Sequence, residues 1–170
     1  MTCLAFAVSP SEKHQLDNFN VSTLKGLSGV AVMVRIIRDN PITLELLKES
    51  DLQRDVELAL HKGGVEILRP TPDVGLYVVI VKVSGGGPDA LNLAVDVQAS
   101  LRQIVYLQRD STIKTEVQTW PAIGQGRFGL VSVAQAQAMI TKTVKDQSKD
   151  FAEDYLAANP KTAVKTPSQK

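Results

Sequence analysis

The sequence predicts an α+β domain in which two helices pack on one face of a mainly antiparallel sheet of four to five strands, in the order β-α-β-β-β-β-α. The last long segment, 132–159, carries apolar residues at helical spacing and needs a surface to lie on. The segment 91–101 alternates apolar and polar residues, as a half-buried strand does. The runs 30–37 and 76–83 are almost wholly aliphatic, which is typical of interior strands. The helical stripe consists of Val133, Ala136, Ile140, Val144, Phe151, Tyr155 and Ala158.

Length and composition indicate one folded domain. The chain has 170 residues, of which 44% are hydrophobic, enough for a single core and too many for wholesale disorder. Nineteen Lys and Arg oppose eighteen Asp and Glu, so the net charge of +1 gives no argument for a nucleic-acid partner. We expect residues 1–28 to form a tail or leader remnant, 29–159 the domain, and 160–170 a disordered polar tail.

The first half of the domain is predicted to be a strand, a helix and a second short strand. The first strand covers 30–37. Ser50 with Gln53 three residues later fits the capping box at a helix start, and Gly63-Gly64 supplies a left-handed helix end. The run 65–68 then predicts a short strand, which would complete a crossover unit.

The second half is predicted to be an antiparallel meander followed by a helix. Strands are expected at 76–83, at 91–108 with the alternation slipping near 103–105, and at 113–120. Ser132 is expected to open the final helix, and Asn159-Pro160 to close it.

A glycine-rich stretch, Gly124-Gln125-Gly126-Arg127-Phe128-Gly129, precedes the final helix and fits G-x-G-x-x-G. The second parallel strand and its acidic residue, which a dinucleotide-binding unit requires, are missing. One interpretation is a flexible connection across the sheet end. The alternative is an anion cradle at the helix start, which would make the chain a small-ligand or nucleotide-binding protein.

Trp120, the only tryptophan, stands at a predicted strand end beside this glycine-rich stretch. Two interpretations are open. As a structural plug it would cover the edge of the core. As a recognition residue it would combine with Arg127 and Phe128 into an exposed aromatic and cationic spot.

The strand at 76–83 predicts a second interaction surface. Its alternate residues form two apolar sets, and only one set can face the helices. If the polar residues of the next strand mark the face that no helix covers, one of the two sets lies among them. The candidate residues for this surface are Leu76, Val78 and Ile80. Such a patch suits a protein partner or a second copy of the chain. The alternative is that the N-terminal residues fold over it.

No catalytic constellation is visible in the sequence. Cys3 is the only cysteine, and neither His14 nor His61 has a cysteine or a second histidine at metal-binding spacing. Most carboxylates fall on the outer faces of predicted helices, and no nucleophile motif such as G-x-S-x-G occurs. We therefore predict no enzymatic activity, no catalytic residues, no metal site and no cofactor.

The first residues include a short apolar run, Cys3 to Val8, with alanines placed as before a signal-peptidase cut. It is interpreted as the remnant of an export leader, with a frayed tail or a misplaced start as the alternative. No run reaches the ~18 to 20 apolar residues of a spanning helix.

Three segments resemble a family of small uncharacterised exported bacterial proteins. They are the stretch from Asp55 to Val65, the Thr119-Trp120 step, and the ending from Phe151 to Pro160. The resemblance implies export and no assigned enzymatic activity.

The architecture is similar to the amino-terminal domain of the Tol translocation protein and to the lipopolysaccharide-assembly lipoprotein. This likeness implies an envelope protein that acts by protein contact. We expect a periplasmic or envelope location, with the cytoplasm as the alternative. Membrane association through a leader or lipid anchor stays open.

Overall fold

A computed structural model describes residues 19–39, 47–71, 74–85, 92–121 and 127–160. A first helix, α1, is described over residues 19–23. It is followed by β1 (Val30–Arg38), α2 (Glu49–Lys62), β2 (Gly75–Ser84), β3 (Asn92–Leu107), β4 (Asp110–Trp120), β5 (Arg127–Ser132) and α3 (Val133–Ala158). No helix in these ranges is both long and apolar enough to cross a membrane.

The five strands form one sheet in the order β1-β2-β3-β4, with β5 also paired to β3. The β1–β2 pair is parallel, and the other pairs are antiparallel. Because β2 occupies one edge of β3, β4 and β5 share the other: β5 pairs with residues 92–97 and β4 with residues 101–107. The predicted α+β class, with a mainly antiparallel sheet, is confirmed.

One face of the sheet carries the core, and both long helices lie on it. The alternate residues Tyr77, Val79, Val81 and Val83 of β2 are buried, as are Leu93, Val95 and Val97 of β3. Helix α2 buries Leu52, Val56 and Leu60, and α3 buries Ala136, Ile140, Val144, Phe151, Ala152 and Tyr155. The predicted stripe of the final helix is thus its sheet-facing side, although Val133 at its start is exposed.

An aromatic cluster anchors α3 to the sheet. The Phe151 ring centroid lies 4.7 Å from that of Tyr77 and 4.9 Å from that of Trp120. Gln147 Nε2 donates to the Val97 carbonyl at 3.2 Å, and the Tyr155 hydroxyl donates to the Leu27 carbonyl at 3.0 Å. These contacts connect the centre of α3 to β3 and its last turns to the segment before β1.

Three local predictions are wrong. The run 65–68 is not a strand, because it makes only a bridge between Ile67 and Val30. The fifth strand is instead β5, which lies where a loop was expected. Helix α2 begins at Glu49 with Lys48 in the N-cap position, so Ser50 lies inside the first turn and caps nothing.

The alternation of β3 is confirmed, and its two irregularities lie on either side of the predicted position. The register against β4 shifts between Leu101 and Arg102 and again between Tyr106 and Leu107, whereas the slip was expected at 103–105. The hairpin that follows is closed by Gln108-Arg109, and the Asp110 carboxylate accepts hydrogen bonds from the amide and hydroxyl of Thr112. These bonds lower the pKa of Asp110.

Helices α2 and α3 meet at a point where one residue must be glycine. Gly64 has φ +85 and ends α2 in the left-handed conformation that was predicted. Gly63 before it has an ordinary backbone, but a Cβ there would lie 2.4 Å from the Cβ of Ala152 on α3. The close approach of the two helices therefore depends on the missing side chain of Gly63.

Replacing Gly63 by alanine is expected to lower the free energy of unfolding by about 1–3 kcal/mol, because the helices must separate. The double variant Gly63→Ala/Ala152→Gly removes the clash and should be more stable than the sum of the single effects predicts, by about 1 kcal/mol or more. Urea denaturation of the four proteins measures this coupling. Additive effects would contradict the contact.

Candidate functional site

Strand β5 is an edge strand of unusual composition. Its six residues, Arg127 to Ser132, pair with β3 on one side only. Phe128 and Leu130 lie opposite Asp96 and Ala94 of β3, on the face turned away from the helices. Their exposed fractions, 70% and 73%, are the highest among the large hydrophobic residues of the described ranges. We call the outer edge of β5 together with these two side chains the β5 surface.

The other side of β5 is held by α3. Arg127 Nη1 lies 3.2 Å from Asp146 Oδ2, and Lys142 Nζ lies 2.8 Å from the same oxygen. The hydrogen bond from Lys142 and the charges of both cations lower the pKa of Asp146. A Cβ at Gly129 would lie 3.3 Å from Met139 Cε, so α3 approaches the strand closely. Strand β5 is therefore positioned by contacts on its helix side, and its other side faces outward.

The outer edge of β1, at the opposite end of the sheet, is occupied at Val30 and at Ile36, near the two ends of the strand. The Val30 amide donates to the Glu66 carbonyl and the Val30 carbonyl accepts from Leu68, both at 2.9 Å. Farther along, the Ile36 amide donates to Glu49 Oε1 at 2.8 Å. Natural sheets protect their edges in such ways against pairing with other chains.

Strand β4 is protected by charge and by one hydrogen bond. The Thr119 carbonyl accepts from Thr23 Oγ1 at 2.9 Å, and the exposed part of the strand carries Asp110, Lys114 and Glu116. In the described ranges, by contrast, no hydrogen bond reaches the outer edge of β5 between Arg127 and Val131. Of the three strands with an outer edge, β5 is the one that, within the described residues, has neither a hydrogen bond on that edge between 127 and 131 nor a charged side chain on its uncovered face.

A second exposed apolar group lies near the β3–β4 hairpin, on the same face as Phe128. Tyr106 is 57% exposed, but the Lys114 ammonium stands 5.3 Å from its ring centroid. Ile104 is exposed beside Glu116, which pairs with Arg102 at 3.4 Å. Apolar and charged side chains alternate here, unlike on the β5 surface.

A cleft of about 340 Å³ lies between this part of the sheet and the segment that leads into β2. Its lining includes Val74, Leu76, Arg102, Ile104 and Glu116. The charged pair in it is close to half exposed, so the cleft holds no desolvated charge of the kind that catalysis uses. In the described ranges, no three or more His, Cys, Asp or Glu side chains are grouped so that they could hold a metal ion.

The predicted aromatic and cationic spot is not formed. Trp120 is only 2% exposed, and its indole Nε1–H donates to Asp154 Oδ2 at 2.8 Å. Arg127 and Phe128 are successive residues of a strand, so they point to opposite faces of the sheet. Trp120 therefore has the position of the structural plug, and of the three residues Phe128 is the one that reaches the uncovered face.

The other predicted residues, Leu76, Val78 and Ile80, do lie on the face opposite the helices. Val78 is only 4% exposed, however, and Leu76 and Ile80 are half-buried. Val78 is flanked by Met33 of β1 and Ser100 of β3, which is itself buried. The exposed apolar area of this face thus lies near its ends and not at the predicted strand.

The described part of the glycine-rich stretch, 127–129, does not form an anion cradle at a helix start. Residues 122–126, with Gly124 and Gly126, lie outside the described ranges. Arg127 to Gly129 are part of β5, and α3 begins only at Val133. Gly129 is thus a strand residue and does not adjoin the N-terminus of α3, as the predicted cradle required.

Leu130 is the residue of the β5 surface that the sequence analysis missed. The alternation of Phe128 and Leu130 with Gly129 and Val131 was a strand signal in the sequence. It was obscured because the same residues complete the G-x-G-x-x-G match, and because glycine is depleted in strands.

Comparisons with known proteins identify no family. No protein-family model matches the sequence, and no curated protein matches it. A hypothetical protein from Chlamydia trachomatis is similar with 13% identity and a TM-score of 0.39, over 77% of this chain and 99% of that one. The rare lipoprotein B from Shewanella oneidensis has 15% identity and a TM-score of 0.29, over 74% and 91%. A minor lipoprotein from Acinetobacter baumannii has 13% identity and a TM-score of 0.32, over 77% and 95%. Likenesses this low say nothing about what the present chain binds.

Proposed function

We propose that this chain is a non-enzymatic protein-contact domain that acts through the β5 surface. The observation that carries the proposal is the exposure of Phe128 and Leu130, 70% and 73%, on an edge strand whose outer edge receives no hydrogen bond between 127 and 131 in the described part of the chain. An open edge offers a row of backbone donors and acceptors to another strand, and adjacent apolar side chains add specificity. The two features coincide at β5.

The free energy of burying Phe128 and Leu130 favours a role for them in protein contact. Burial of an exposed aliphatic or aromatic side chain is worth roughly 1.5–3 kcal/mol, so Phe128 and Leu130 together could supply a substantial part of a binding free energy. At the β3–β4 hairpin, Tyr106 already has Lys114 beside its ring, and Glu116 and Arg102 would have to be desolvated on binding. That cost makes the hairpin the weaker candidate.

Site-specific photo-crosslinking in the native host tests the proposal. A photoreactive amino acid at position 130 is expected to give a discrete adduct with a protein, and Phe128→Glu in the same chain should reduce its yield at least about tenfold, because a buried charge opposes binding. Because residue 128 is exposed, this substitution should change the free energy of unfolding by no more than about 0.5 kcal/mol.

A matched control position is Lys149, which is exposed on α3, away from β5. A photoreactive residue there should give no such adduct. The proposal fails if positions 130 and 149 give the same pattern, or if the adduct at 130 survives Phe128→Glu with the fold intact.

We further propose a location in the bacterial cell envelope. Its support is the resemblance of three segments, among them the Thr119-Trp120 step and the ending at Pro160, to a family of exported bacterial proteins. Fractionation of the native host tests it, because finding the chain only in the cytosol would contradict it.

A further inference from the structure

We propose that the occupant of the β5 surface is a second copy of this chain, paired antiparallel, β5 to β5, about a twofold axis through Gly129. The inference rests on the proposed contact function and names its partner. An interface of this symmetry uses the same patch on both subunits, so the patch must be complementary to itself. The sequence of β5 can be tested for that property residue by residue.

A pairing with Gly129 opposite Gly129 sets Phe128 of each copy opposite Leu130 of the other. Directly opposite residues of an antiparallel pair lie on the same face, about 4.5–5.5 Å apart. Four apolar side chains, two Phe128 and two Leu130, would then form one cluster on the face turned away from the helices. The pairing converts the two most exposed large hydrophobic side chains of the described ranges into mutual contacts between the copies.

The helix side of this pairing is compatible with the same register. Arg127 of one copy lies opposite Val131 of the other, and Arg127 is held back by Asp146 on its own α3. At the axis, Gly129 carries no side chain. A Cβ at this position would lie 3.3 Å from Met139 Cε. The register therefore places no like charges opposite each other and no bulk at the point where the two copies are closest.

The other strand edges argue for β5 as the pairing edge. Two hydrogen bonds with the 66–68 segment and one with Glu49 occupy the outer edge of β1. An added strand at β4 would meet Asp110, Lys114 and Glu116. The open face of β5 carries no charge or proline, the devices that natural proteins use to prevent such pairing.

Sedimentation equilibrium of the full chain is the first test. We expect a dimer whose dissociation constant rises at least about 30-fold in Phe128→Glu/Leu130→Glu, the change expected when a hot-spot pair is lost. A mixture of this variant with Phe128→Lys/Leu130→Lys should recover a dimer, because opposite charges then meet across the axis. A monomeric wild-type chain, or a dimer unaffected by the double substitution, would overturn the inference.

Disulfide trapping tests the register in a Cys3→Ser background. Gly129→Cys should form an intermolecular disulfide on mild oxidation, because the two Cα atoms at the axis lie within disulfide range. Val131→Cys is the matched control on the same face of the strand. In this register, residue 131 of one copy lies opposite residue 127 of the other, so the two cysteines would be four residues out of register. A disulfide at 131 and none at 129 would contradict the pairing.

The two proposals fail in distinguishable ways. A monomer that still gives an adduct with a different protein at position 130 would overturn the homodimer and keep the contact function. A monomer that gives no adduct there would overturn both.

Discussion

Replacement of Trp120 by alanine is expected to lower the free energy of unfolding by about 3–5 kcal/mol, the range typical of a large aromatic removed from a core. Trp120 is only 2% exposed, and its ring lies 4.9 Å from that of Phe151. The substitution also leaves Asp154 without the hydrogen bond from the indole nitrogen. Because small domains are stable by about 5–15 kcal/mol, a loss of this size removes a large share of the total.

Phe128→Ala is the matched control for this experiment. Both aromatic residues were candidates for the same recognition spot, but Phe128 is 70% exposed and should change stability by no more than about 0.5 kcal/mol. Chemical denaturation followed by circular dichroism measures both variants without relying on tryptophan fluorescence. A loss below about 1 kcal/mol for Trp120→Ala would contradict its role as the plug.

The second large effect concerns Tyr77 and alkaline pH. Its side chain is fully buried, and this burial raises the pKa of the phenol well above its ordinary value. The Ser148 hydroxyl partly offsets this rise in the pKa, and it donates its own proton to the Val144 carbonyl at 2.8 Å. The Tyr77 hydroxyl makes no hydrogen bond of ordinary geometry in the described ranges.

The direction of the pH effect follows from proton binding. Below pH 10 the phenol is protonated in both the folded and the unfolded chain, so its contribution to stability does not change with pH. Above pH 10 the unfolded chain releases the proton and the folded chain keeps it. The free energy of unfolding should therefore fall by up to about 1.4 kcal/mol per pH unit in this range.

Tyr77→Phe should remove this part of the alkaline dependence. It should also raise stability near pH 7 by about 1 kcal/mol, because a buried hydroxyl without a partner is replaced by hydrogen. Denaturant titrations at pH 7, 9, 10 and 11 measure both effects. Tyr106→Phe, at an exposed position, is the control and should behave as the wild-type chain. A Tyr77→Phe chain that is clearly less stable near pH 7, or that keeps the full alkaline slope, would contradict this account.

The sequence was most informative where burial alone determines the pattern. The long alternation in β3 and the stripe on α3 each arise because one side of the element meets the core, and both were predicted correctly. The aliphatic run of β2 likewise predicted a strand. The sequence of β2 could not show which of the two sets of alternate apolar residues faces the helices, because that depends on the neighbouring strands.

The errors arose where tertiary contacts override local signals. Ser50 fits a capping box, yet α2 begins one residue before it, at Glu49, whose carboxylate accepts a hydrogen bond from the Ile36 amide of β1. The run 65–68 has strand composition but only bridges Val30 at the sheet edge. Such pairings between distant segments leave no local trace in the sequence.

The candidate site was predicted only in part, for a similar reason. Phe128 was identified, but it was grouped with Trp120 and Arg127 because the three are close in sequence. The strand conformation of β5 turns Arg127 and Phe128 to opposite faces, and the contact with Phe151 places Trp120 in the core. The position of Leu130 at this site depends on the pairing of β5 with β3, which the local sequence does not indicate.

Amide hydrogen exchange at β5 is the most direct test of the claim that this edge pairs with another chain. The outward-facing amides of Arg127 to Ser132 should exchange rapidly in dilute protein and slow by at least about tenfold when the chain associates at high concentration, because a paired amide exchanges only on opening. The segment 110–120 of β4 should stay unchanged and serves as the internal reference. Exchange at β5 that is equally fast at all concentrations, while the chain is shown to associate, would contradict the claim.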